Sequence, residues 1–126
     1  MRTIELTFLG RIPSKKNSRN IFVSKTGKRM NIPSTAYKDW HKSTIADILN
    51  QLPEPLVCVI EVVLDFYMPD NRKCDLTNKA ESIMDLLVDA KIIEDDCWQY
   101  VPMITLRACG VDKEKPRVNV TIKYGG

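Results

Sequence analysis

Ten of the sixteen acidic residues fall between positions 61 and 96: Glu61, Asp65, Asp70, Asp75, Glu81, Asp85, Asp89, Glu94, Asp95 and Asp96. Carboxylates gathered this densely are hard oxygen donors, the ligand type that Mg²⁺ prefers. A divalent cation held by them lowers the pKa of a bound water and offsets charge growing on a phosphate, which is the chemistry of phosphodiester hydrolysis. Position narrows the set. Asp75 stands just ahead of a helix expected from Asn78, and Asp95-Asp96 stand in a turn behind that helix. A chain that folds back between them can bring both groups to one ion. Each also has a plain structural use. An aspartate near a helix N-terminus is favoured by the dipole, and an Asp pair suits a polar turn. Asp85 and Asp89 read as solvated residues on the helix face.

The positive charge lies elsewhere. Residues 1–50 carry ten Lys/Arg against three acids, a net of +7, and the remainder carries nine bases against thirteen acids, a net of −4. This asymmetry is expected when one region holds a polyanion and another collects a cation, and it also fits two ordinary charged exteriors. Lys15, Lys16, Arg19, Lys25, Lys28 and Arg29 sit in a loop and hairpin, and Arg72 and Lys73 sit beside the acidic set. Together they could neutralise phosphates without reading sequence.

The elements that must position these groups follow from periodicity. Thr3–Leu9 alternates apolar and polar residues as a strand does, and Gly10–Asn20 is an irregular basic loop. Ile21–Ile32 folds as a hairpin around Ser24-Lys25-Thr26-Gly27. Ser34 caps a helix whose apolar positions are Tyr37, Trp40, Ile45, Ile48, Leu49 and Leu52, stopped by Pro53 and Pro55. Leu56–Met68 is a strand with Cys58, Ile60, Val62, Leu64, Phe66 and Met68 on its apolar face. Asn78–Ala90 is an amphipathic helix burying Ala80, Ile83, Met84, Leu87 and Val88. Tyr100–Cys109 and Arg117–Tyr124 close the chain as strands. The pattern predicts an α+β fold, a mixed and mostly antiparallel sheet with two helices packed on one face. A chain of 126 residues suits one domain spanning 1–126.

Several classes are disfavoured. No apolar run approaches the length that crosses a bilayer, which predicts no membrane partner. The opening MRTIELTFLG reads as a strand and not as an export signal, so a cytoplasmic protein is expected. Cys58, Cys74, Cys97 and Cys109 form no C-x-x-C pair, and His41 is the one histidine that could join them. Reduced thiols are therefore expected, not a structural zinc site, with Cys58 in the core.

The stretch RKCDLTNKAESIMDLLVDAKIIEDDCWQY, residues 72–100, resembles the RusA family of Holliday-junction resolvases, small phage and prophage enzymes. The family pattern is a basic run, then Asp-x-Asp-Asn, a lysine four residues after the second Asp, an amphipathic helix and a closing Asp-Asp. Arg72-Lys73 match the basic run, Asp75 the first aspartate, Asn78 the asparagine and Asp95-Asp96 the closing pair. The segment PSKKNSRN at Pro13–Asn20 looks like the family's basic early loop. The resemblance implies an endodeoxyribonuclease that cleaves four-way DNA junctions as a homodimer in recombination and repair. It further implies Mg²⁺, with Mn²⁺ as a substitute, and no small-molecule cofactor.

Two positions depart from the pattern: Thr77 replaces the second aspartate and Glu81 replaces the lysine. The two are four apart and share a helix face if the helix begins early enough. We expect the missing carboxylate to have moved one turn along, so that Asp75, Glu81 and Asp96, with Asp95 alongside, form the metal and catalytic set. Lys79 lies about 160° around the helix from Glu81. It is a poor stand-in for the motif lysine, though it remains a candidate for a phosphate contact. The alternative is a relative of the same fold that binds junctions but cuts them poorly or not at all.

Overall fold

The computed structural model describes residues 1–13, 35–48, 52 and 54–125 in full, and 19–23 and 29–33 by their backbone. Its centre is the strand β4 (Val59–Met68), whose period-two pattern turns Val62, Leu64 and Phe66 inward, each at most 1% exposed. Strand β6 (Arg117–Tyr124) repeats the device with Val118, Val120 and Ile122. It runs antiparallel to β4 on one side and to β1 (Arg2–Leu9) on the other. Strand β5 (Ile104–Val111) completes the order β1-β6-β4-β5 and runs parallel to β4, with Val62 opposite Ile104. Parallel neighbours cannot be joined by a tight turn, so the chain crosses over through the helix α2 (Leu76–Asp89). The sheet is mixed and mostly antiparallel, and the fold is α+β. The strands β2 (Arg19–Val23) and β3 (Arg29–Pro33) pair antiparallel as a separate ribbon, where the hairpin was expected.

Both helices cover the same side of the sheet. Ala80, Ile83, Met84 and Leu87 recur at spacings of three and four along α2, and each is at most 7% exposed. They pack with Val62, Leu64, Phe66, Val118, Val120 and Ile122 in one cluster. Ile48 of α1 (Thr35–Ile48) belongs to that cluster, and Trp40 and Ile45 rest against it. Among the described residues, no helix is long and apolar enough to cross a membrane.

Two local features depart from simple alternation. The pairing of β4 with β6 shifts register between Val59 and Glu61. Ile60 is consequently 41% exposed, and Cys58, expected in the core, is exposed at φ 55 just outside the strand. An extra residue in one strand of a pair breaks the alternation in this way. At the other end of α2, Lys91 adopts φ 60, and the amides of Ile92 and Ile93 return to the Leu87 carbonyl. The Leu56 amide donates to the Ile92 carbonyl at 2.9 Å, and Leu56 and Ile93 form a parallel bridge. With Ile92 and Ile93 each 1% exposed, the chain leaving α2 is tied down immediately before its acidic turn.

Candidate active site

The site is built on the first three turns of α2. Asp75 is the N-cap residue, extended at φ −94 and ψ 120, so the helix begins two residues earlier than Asn78. That early start puts Thr77, Glu81 and Met84 in register on one face. Thr77, Ala80, Glu81 and Met84 line an open cleft of about 340 Å³ together with Asp96, Ile104 and Leu106. Ala80, Met84, Ile104 and Leu106 make its lining largely apolar, while Thr77, Glu81 and Asp96 bring oxygens to it.

Asp96 enters this cleft from the turn that Ile92 and Ile93 anchor. Its amide donates to Asp95 Oδ1 at 2.8 Å. Its carboxyl is pushed above the ordinary aspartate range, first by burial, then by a hydrogen bond with Asp95 and by the negative charges of Asp95 and Asp85; its own backbone amide opposes this. Anions crowded until one resists ionising are what a bound cation would relieve. The donors are all hard oxygens. Their chemistry suits a divalent ion such as Mg²⁺, with two carboxylates, Glu81 and Asp96, supplied by the cleft itself.

Glu81 and Asp96, fifteen positions apart in the chain, are thus brought to one open cleft, where both are exposed, as is Asp95 beside Asp96 in sequence. Asp75 stands outside that lining. It is exposed at the helix start, and its Oδ2 accepts from Asn78 Nδ2 at 3.4 Å. Among the described residues, the set of ligand atoms lying within 4.8 Å of one another is that of His41, Asp85 and Asp89, not the four expected carboxylates. Asp85 and Asp89 were expected to be merely solvated. Both are partly solvated, and both also face His41, a contact that no spacing within either helix marks.

Lys79 lies on another side of the helix. It is 7% exposed, and its ammonium donates to the Ile12 carbonyl at 2.7 Å. Burial pulls its pKa below the ordinary lysine value. Ser82 Oγ donates to the Pro13 carbonyl at 2.6 Å, so two side chains of α2 hold the entry to the basic loop. Lys79→Ala leaves the buried Ile12 carbonyl without its donor. It should lower stability by about 1–3 kcal/mol, measured as a drop in the urea midpoint at unchanged slope.

The loop from β4 to α2 carries Arg72 and Lys73, both exposed. Asp70 organises it by accepting from the Arg72 amide at 3.0 Å, from Arg11 Nη2 at 2.5 Å and from Arg72 Nε at 3.2 Å. Its carboxyl sits below the usual range, chiefly through that amide, with burial opposing and Arg11 assisting. Arg11 and Asp70 carry no pattern that marks them in the sequence. Lys15, Lys16, Lys25 and Lys28 lie outside the described residues. Arg19 and Arg29 fall on β2 and β3, whose side chains also lie outside them.

A family model described as Endodeoxyribonuclease RusA matches residues 12–123. No curated protein matches the chain.

Proposed function

Because the chain belongs to the RusA family of endodeoxyribonucleases, we propose that it resolves Holliday junctions by Mg²⁺-dependent hydrolysis of phosphodiesters, with Mn²⁺ able to replace Mg²⁺. What carries this reading is the meeting of Glu81 and Asp96 in one open cleft on the helix that follows an exposed basic loop. A divalent ion held there supplies an activated water and offsets the charge that builds on the phosphate. Glu81 and Asp96 are the ligands from the cleft. Asp95, next to Asp96, and Asp75, at the helix tip outside the lining, are the further carboxylates assigned to the ion. Thr77 offers a hydroxyl where other members of the pattern carry a carboxylate. Arg72 and Lys73 hold the flanking phosphates, and the basic residues of 15–29 are assigned further phosphate contacts on their charge alone. Lys79 supports the site by fixing the loop entry at Ile12.

Paired cuts on a two-fold symmetric junction need two such sites, which supports a homodimer. The edge strand β5 and the segment before it expose Met103 and Val111 outside the cleft lining, a surface suited to a second copy. Recombination and repair in the cytoplasm is the setting this activity implies.

The test is incubation of the protein with an end-labelled four-way junction and Mg²⁺. Symmetric nicks are expected, and none are expected with a chelator. A second reading, a junction-binding protein that does not cut, is favoured by Thr77 standing in the cleft and Asp75 standing outside its lining. Salt-sensitive binding without nicks would select it. Junction affinity should fall linearly with salt on logarithmic axes, by about 0.9 per phosphate contact. Replacing both Arg72 and Lys73 with Ala should flatten that slope by roughly 2. An unchanged slope would remove both residues from the interface.

A further inference from the structure

We propose that His41 Nε2 and Asp89, with Asp85 behind the ring, form a second cation site, for a first-row transition ion such as Co²⁺, Ni²⁺ or Zn²⁺, which joins α1 to α2 and lies outside the lining of the carboxylate cleft. The inference is independent of the nuclease reading. One ligand atom from each of the three residues lies within 4.8 Å of the other two. His41 Nε2 and Asp89 Oδ2 are 2.9 Å apart. Neighbouring ligands held about 2.1 Å from an ion are separated by roughly 3.0–3.4 Å, so this pair needs only a small adjustment to share one. The other face of the imidazole is already arranged. His41 Nδ1 lies 3.9 Å from Asp85 Oδ2 and 3.4 Å from the Tyr37 hydroxyl. The Tyr37 hydroxyl in turn donates to Asp85 Oδ2 at 2.5 Å. A carboxylate behind the non-ligating nitrogen fixes the tautomer and ring orientation of metal-bound histidines.

The ring selects the metal. Imidazole nitrogen suits Zn²⁺, Co²⁺ and Ni²⁺, whereas Mg²⁺ takes oxygen donors. His41 is 18% exposed and Asp89 49%, so the ion has both a partly desolvated ligand and a path from solvent. His41 comes from α1 and both aspartates from α2, and their spacing of four puts the aspartates one turn apart on a single face. An ion held there clamps the two helices and binds only the folded chain.

Calorimetric melting of the full chain with Co²⁺ or Ni²⁺ tests this. At a hundredfold excess over Kd, the melting temperature of the parent protein should rise by roughly 5–10 °C. The rise should persist in Asp96→Asn and vanish in both His41→Gln and Asp89→Asn; half-exposed Asp89 keeps the test open if His41→Gln folds poorly. The near-ultraviolet spectrum of the Co²⁺ form should lack thiolate charge-transfer bands, since Cys58, Cys74 and Cys109 are exposed competitors. No rise in the parent, a rise retained in Asp89→Asn, a rise lost in Asp96→Asn, or a thiolate band would each overturn the assignment.

Discussion

Asp96→Asn should abolish junction cleavage, by roughly 10³-fold or more, while making the metal-free protein harder to melt near neutral pH. On the proposed mechanism, the first effect follows from removing an anionic oxygen that would hold the cation, whose stabilisation of the transition state is worth several kcal/mol. The second follows from the direction of the Asp96 shift. Burial and the neighbouring Asp95 and Asp85 raise its pKa in the folded state, so the native fold favours its protonated form. That favour is fully present below the unfolded carboxylate pKa and is lost as pH rises through the folded one. At neutral pH the ionised group therefore penalises the fold, and the neutral amide lifts the penalty. Melting curves across the acid limb check the sign: the advantage of Asp96→Asn should shrink as the pH falls. A variant less stable than its parent at neutral pH, without metal, would mean that Asp96 is not held among crowded anions.

Glu81→Gln is the sharper test of how this chain departs from its family. If the carboxylate missing at Thr77 has moved one turn down α2, neutralising Glu81 should cost about 10²–10³-fold in cleavage and erase the rise in melting temperature caused by millimolar Mg²⁺. Full activity in Glu81→Gln would remove Glu81 from the ligand set. The combined change Thr77→Asp with Glu81→Gln returns the carboxylate to the position the pattern gives it. Both residues line the same cleft, so partial recovery of cleavage is expected. Recovery would separate a lost ligand from a damaged helix, because a misfolded α2 could not be repaired by a second substitution in its first turn.

Much of this arrangement was legible in the residues. Period two in β4 and β6 and the three-and-four spacing of α2 fixed the core, since burial of one face leaves little choice of register. The meeting of the acidic turn with α2 was legible in part: spacing required the chain to return, but not how far along the helix. The returning segment delivers Asp96 to the face that carries Glu81, while Asp75 stays at the helix tip. The parallel pairing of β5 was not legible, because strand direction depends on which neighbour the crossover selects. Cys58 was misplaced because a register shift near Val59 leaves no mark in the alternation. The partnership of His41 with Asp85 and Asp89 was hidden for another reason. Each helix read alone shows polar residues on an outward face, and only their packing turns those faces toward each other.

The order of the strands also constrains how the chain can acquire its shape during synthesis. The strand β6, late in the sequence, lies between β1 and β4, with Arg2 opposite Tyr124 at one end of its ladder. Until it emerges, β1 has no neighbour in the four-stranded sheet, and β4 keeps one edge open beside β5. The nascent polypeptide therefore cannot lock in from its beginning. Insertion of this single eight-residue segment joins both halves of the sheet at once, so β1 and β4 find their places in it together.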